Sequence, residues 1–125
     1  MEVQRAKNPN DLSDTEKMHI PFIEIPYPPI KGDIFELIVR VGEIMHPMSE
    51  EHFIEWIELY NDNILLDKVE LGPDVEPKCI FNISMLKNIN FKIIASCNLH
   101  GVWEKSARIQ FSLIENGLEG VNVFK

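Results

Sequence analysis

No stretch of this 125-residue chain stays apolar for the ~20 residues that a bilayer-spanning helix needs. The N-terminal run MEVQRAKNPNDLSD lacks the apolar segment of a secretory leader. Both absences lead to the expectation of a cytoplasmic protein with no membrane partner. Bases are scarce: 12 Lys and Arg stand against 20 Asp and Glu, a net charge of −8. That balance disfavours nucleic acid, where a basic footprint is expected, and anionic lipid surfaces. There are only two cysteines, Cys79 and Cys97, and no Cys-x-x-Cys pair, so rubredoxin-like and zinc-ribbon sites are excluded. One disulfide is formally possible, but the expected compartment argues against it. No methionine follows Met85, and there is no internal repeat or low-complexity block.

What is present suits one globular unit. Hydrophobic residues make up 45% of the chain, enough to bury roughly two-thirds of the unfolded surface around one core. Residues 1–15 are polar and are expected as an arm or loop, with a single β domain over 16–125. Period-two alternation marks the strands. Phe35, Leu37, Val39 and Val41 alternate with outward Glu36 and Arg40. Phe91, Ile93, Ala95 and Cys97 form a second inward set. Trp103, Ala107, Ile109, Phe111 and Leu113 form a third, with Glu104, Ser106, Arg108, Gln110 and Ser112 facing out. Phe22–Ile25, Phe53–Tyr60, Ile64–Leu71 and Cys79–Met85 complete seven predicted strands. Pro26-Tyr27-Pro28-Pro29, Asn61-Asp62-Asn63, Gly72-Pro73-Asp74 and Lys87-Asn88 separate them. The expectation is an all-β, immunoglobulin-like, seven-stranded sandwich or barrel, with Trp56 and Trp103 as core anchors.

The four histidines are His19, His46, His52 and His100. A lone histidine is more often a satisfied or surface residue than a ligand. These four fall at strand ends or in connecting loops, where a rigid sandwich can hold a site. His19 precedes a strand, and His46 and His52 bracket a five-residue loop. Cys97-Asn98-Leu99-His100 is a Cys-x-x-His step at a strand end, followed by Gly101. Imidazole suits zinc, copper, iron and nickel, and thiolate adds softness. Four histidines and a cysteine exceed the four ligands of a structural zinc site. Five ligands with one position open suit an ion that binds a small molecule, which points to catalysis.

Three blocks carry a resemblance. His19-Ile20-Pro21, His46-Pro47-Met48-Ser49-Glu50-Glu51-His52-Phe53-Ile54-Glu55-Trp56-Ile57 and Cys97-Asn98-Leu99-His100-Gly101-Val102-Trp103 resemble the superoxide reductases of the neelaredoxin, or desulfoferrodoxin-like, family. The family pattern reads E-K-H-x-P, H-P-x(4)-H-x-I-x-W/Y-I and C-N-x-H-G-x-W, in that order. The matches span residues 16–103 and use every histidine. The extra cysteine-rich iron domain of two-domain relatives has no counterpart here, so the likeness is to the one-iron class.

The resemblance implies an immunoglobulin-like β-barrel and a mononuclear non-haem iron. His19, His46, His52 and His100 would be its equatorial ligands, Cys97 its axial ligand, and the sixth position would be open. It implies one-electron reduction of superoxide to hydrogen peroxide, with two protons taken up. Rubredoxin is the implied electron donor and a homotetramer the implied assembly. Glu16 is implied as the sixth ligand of ferric iron and Lys17 as the cation that draws in superoxide. The chain departs from the pattern there, because Met18 separates Glu16-Lys17 from His19. Lys105 is a second candidate cation. Four neutral imidazoles and one thiolate would leave ferrous iron with a local charge of +1, attractive to a small anion despite the net −8. Cys79 is expected as a small buried hydrophobe, and Met45 and Met48 as packing groups. Two rival readings are a cupredoxin, which lacks its downstream axial methionine here, and a non-catalytic immunoglobulin-like module with structural zinc.

Overall fold

A computed structural model describes residues 2–113 and 121–122, with only the backbone described at 112, 113, 121 and 122. The expected domain 16–125 and the inward placement of Leu113 therefore extend outside the described residues. In chain order the elements are β1 (Val3–Gln4), α1 (Asp14–His19), β2 (Pro21–Glu24), β3 (Phe35–Val41), β4 (Ile54–Asn61) and β5 (Ile64–Glu70). These are followed by β6 (Lys78–Ile83), β7 (Ile89–Cys97), β8 (Gly101–Ile109), β9 (Ser112–Leu113) and β10 (Val121–Asn122). The seven predicted strands are all present, within a few residues at their ends. No helix is long and apolar enough to cross a membrane among the described residues.

Two sheets make the sandwich. One has the order β1-β8-β7-β4-β5 and the other β2-β3-β6, while β9 and β10 form a separate two-stranded sheet. Among the described residues all pairings are antiparallel except β1 with β8. The alternation in β3 and β7 explains the stacking. Phe35, Leu37, Val39 and Val41 face Phe91, Ile93, Ala95 and Cys97, with Ile57, Leu59, Phe81 and Ile109 filling the layer between. Each large side chain so enclosed contributes about 1.5–3 kcal/mol through water release.

Register brings one set of strand ends together. Pro21 pairs with Val41, Ile54 with Cys97, and Cys97 with Gly101. The starts of β2, β4 and β8 and the ends of β3 and β7 therefore lie at one end of the sandwich. Every histidine and Cys97 is at that end.

Two local expectations fail for physical reasons. Glu104 is buried because Arg5, just past β1, forms an ion pair with it. Trp56 is only half-buried, lying outside the inter-sheet layer beneath the Lys68 ammonium. The polar arm over residues 1–15 contains β1 and leads into α1, whose N-terminus is closed by Ser13.

Candidate metal centre

His19 ends a six-residue helix that folds because its first turn is fully capped. Ser13 Oγ accepts the Glu16 N–H at 3.1 Å, and Glu16 Oε1 accepts the Ser13 N–H at 2.9 Å. That reciprocal pair is a capping box. Gly42, just after β3, lets α1 come close. A Cβ there would lie 2.5 Å from the Lys17 carbonyl oxygen and 2.9 Å from that of Ile20. The Ile44 N–H donates to the same Lys17 oxygen at 3.1 Å. His46 and His52 follow in the loop from β3 to β4, which Ser49 and His52 close through backbone hydrogen bonds. Cys97 ends β7, and Gly101 takes φ +86° to turn the chain from His100 into β8.

The four imidazoles form a closed ring. Centroid separations are 4.7 Å for His19–His46, 4.5 Å for His46–His52, 4.9 Å for His52–His100 and 5.0 Å for His100–His19. Neighbouring rings stand at 75–83° to each other. His19 and His52, across the ring, are 6.2 Å apart, longer than any side, as the diagonal of a near-square must be. Cys97 Sγ lies 3.4 Å from His46 Nε2 and 3.9 Å from His100 Nδ1. One ligand atom each from His19, His46, His52 and Cys97 lie within 4.8 Å of one another. His100 is outside that tightest group but completes the ring.

Hydrogen bonds settle which nitrogens face inward. His19 Nδ1 is 2.7 Å from the Thr15 carbonyl and His46 Nδ1 is 2.6 Å from that of Pro47. A carbonyl only accepts, so each Nδ1 carries the proton and each Nε2 presents a lone pair. His19 Nε2 and His52 Nε2 are buried with no hydrogen-bond partner among the described residues. An unpartnered buried polar atom costs about 1–3 kcal/mol, and a cation held between these nitrogens satisfies both. Burial, reinforced by the neighbouring imidazoles, lowers the pKa of His19, His46 and His52, that of His46 to about 4. These three rings are therefore neutral near pH 7, the form that binds a metal. His19 and His46 are enclosed, while His52 is half-buried and His100 exposed, so the ring opens to solvent on one side.

Glu16 is not brought into the ring. Its two carboxylate oxygens accept the Ser13 and Lys7 N–H groups, at 2.9 and 3.0 Å. These backbone donors hold its carboxyl below the usual carboxylate range. Lys17 lines a groove of about 650 Å³ between β2 and β8, together with Lys105, Arg108 and Glu43. Met48 packs against the core and Met45 is exposed; neither belongs to the His and Cys group. Both cysteines are free.

Sequence reasoning missed Asn98. Its Nδ2 donates to the Glu51 carbonyl at 3.1 Å, and its Oδ1 accepts the Phe53 N–H at 2.9 Å. It thereby joins the His52 loop to the Cys97–His100 turn. Its position inside the Cys-Asn-x-His step was the available signal.

Fold and site together define a class: an immunoglobulin-like β-sandwich that carries a His-and-Cys metal centre at one end. The desulfoferrodoxin family profile matches residues 11–106, and the chain belongs to that family. It is 35% identical over 103 residues to a superoxide reductase of Pyrococcus horikoshii, covering 74% of this chain and 87% of that one. Among solved structures, a superoxide reductase (neelaredoxin) from Ignicoccus hospitalis superposes with TM-score 0.65 at 34% identity, covering 74% of this chain and 80% of that one. The reduced superoxide reductase (neelaredoxin) of Archaeoglobus fulgidus gives TM-score 0.68 at 26% identity, covering 87% of this chain and 98% of that one.

Proposed function

We propose that the chain is a superoxide reductase, converting superoxide to hydrogen peroxide by one-electron reduction with uptake of two protons. The observation that carries this reading is the near-square of four imidazoles with the Cys97 sulfur packed against two of them. His19, His46, His52, His100 and Cys97 are the proposed ligands of a mononuclear iron. Iron held by these five residues would supply the electron and a positive charge attractive to the superoxide anion.

The protein's own residues prepare that chemistry. The Thr15 and Pro47 carbonyls fix the His19 and His46 tautomers and aim both Nε2 lone pairs inward. Burial favours the neutral form of His19, His46 and His52, so these three imidazoles are ready to ligate near pH 7. The exposed edge at His52 and His100 admits the small anion and the water that supplies protons. The proposed role of Lys17 is to strengthen the local positive field, supported by its place beside Lys105 and Arg108. Ligation by Glu16 in the oxidised protein would compete with the Ser13 and Lys7 amides that its two oxygens accept here.

The competing metals fit less well. A blue-copper site takes two histidines, one cysteine and a weak axial methionine, whereas here four imidazoles converge. A structural zinc takes four tetrahedral ligands, not a near-square with a sulfur beside it.

Rubredoxin is the proposed electron donor, supported by the cationic residues Lys17, Lys105 and Arg108 that line one groove of an acidic chain. A homotetramer is the proposed assembly, supported by the exposed Ile64, Leu65 and Leu66 on the edge strand β5. The proposed compartment is the cytoplasm, supported by two free thiols. Metal analysis with an absorption spectrum tests the core of the reading. One iron per chain is expected, with a blue oxidised form that Cys97→Ser bleaches and rapid consumption of superoxide in stopped flow. Stoichiometric zinc or copper without iron affinity refutes it.

A further inference from the structure

The carbonyl oxygen of His100 receives two donors from outside its own turn. Trp103 Nε1 donates to it at 3.0 Å and Gln4 Nε2 at 2.9 Å. A carbonyl has two lone pairs, so this pair of bonds saturates it. Gln4 is delivered by β1, whose parallel register sets Val3 beside Val102 and Gln4 beside Trp103. The next residue, Arg5, forms the ion pair with buried Glu104 that fastens the strand. Gly101 makes room for the amide: a Cβ there would lie 3.0 Å from Gln4 Nε2.

Trp103 also touches a second corner of the imidazole ring. Its indole stacks on His19 with centroids 5.1 Å apart and planes 25° from parallel. The same indole thus touches the His19 ring and fixes the His100 backbone, and the two rings are adjacent. The His100 nitrogen nearer the sulfur is Nδ1. That atom is close to Cβ, so backbone position governs its direction more directly than it governs Nε2. Holding the His100 carbonyl therefore aims the imidazole.

We infer that Gln4 and Trp103 are positioning residues for the metal centre, with the N-terminal strand acting as a strap that holds the His100 corner in place. The inference rests on the metal-centre reading above and adds to it a segment that lies outside every ligand block. Outer partners of this kind typically change metal affinity 10–100-fold when removed.

The test uses Co2+ loaded into the full chain, because its ligand-field and thiolate charge-transfer bands report geometry without turnover. Gln4→Glu keeps the shape and removes the donor. Trp103→Phe keeps an aromatic face against His19 and removes the N–H. Each variant is expected to lose Co2+ to a chelator about 10-fold faster and to shift the thiolate band. The double variant is expected to deviate from the product of the single effects, because both donors serve one acceptor. If Trp103→Phe does not fold, the half-buried Gln4 carries the test alone. Wild-type release rates and an unmoved spectrum in Gln4→Glu overturn the inference while leaving the centre intact. Absence of Co2+ binding by the unsubstituted protein instead overturns the centre itself, and this inference with it.

Discussion

Asn98 and Phe53 are joined twice: the Phe53 N–H donates to Asn98 Oδ1 at 2.9 Å, and the Asn98 N–H donates to the Phe53 carbonyl at 3.1 Å. One residue thus holds Phe53 through its backbone and staples the loop through its side chain. Asn98→Ala keeps the backbone bond and deletes both amide contacts. Net loss of such bonds near solvent is worth about 1 kcal/mol each, a modest effect on folding. The effect on the centre is expected to be larger, because His52 and Cys97 lose their common brace. Chelator competition should show about a tenfold drop in metal affinity. An unchanged affinity would mean that the two loops hold their positions independently.

Gly42 makes a sharper test of how α1 is docked. The Cβ of Gly42→Ala meets the Lys17 and Ile20 carbonyl oxygens and the Met18 carbonyl carbon, all backbone atoms that no rotamer change can move aside. The expected cost is about 1–3 kcal/mol, with α1 displaced and His19 drawn off the ring. Gly72→Ala is the matched control, since a Cβ there has nothing within 4 Å among the described residues. Thermal unfolding with metal titration should separate the two variants clearly. Equal behaviour would show that α1 yields without strain.

The capping box gives Glu16 a structural role that a metal-ligand role does not include. Ser13→Ala removes one half of the box and is expected to cost about 1 kcal/mol. Glu16→Ala removes the other half together with the bond from the Lys7 N–H, so the metal-free protein should melt at a lower temperature. A residue that acted solely as a sixth ligand would leave the metal-free melting curve unmoved, and that result would refute the capping role.

The strands were readable because period-two alternation is a direct image of a half-buried sheet. Phe35 to Val41 and Phe91 to Cys97 place every second residue in the core, and the structure follows them. The ring of imidazoles was readable through motif spacing, not through periodicity. What escaped was structure carried by few residues or made across long separations. The Ser13-x-x-Glu16 signature opens a helix of only six residues, too short to show a 3.6-residue period. Glu104 was placed outward by alternation alone, because its partner Arg5 is 99 residues away. Gln4 escaped for the same reason: no local pattern records that its amide reaches His100.

Cys79 offers a prediction away from the metal. It is paired with Val39 in the β3–β6 ladder and packed partly against the core. Burial, with a smaller contribution from the Asp67 carboxylate, pushes its thiol up to about 12 from an ordinary 9. Only the thiolate is alkylated, so near pH 8 iodoacetamide should modify Cys79 roughly 10³-fold more slowly in the folded chain than in denatured protein. Between pH 9 and 12 the folded chain holds a proton that the unfolded chain has lost. Stability from this group is therefore complete below pH 9 and declines as the pH rises through that window. Mass-resolved alkylation across pH checks the assignment, and a folded-state reactivity profile with its midpoint near 9 would refute it. Asp67→Asn should lower the midpoint slightly, leaving most of the shift in place, because burial is the larger cause.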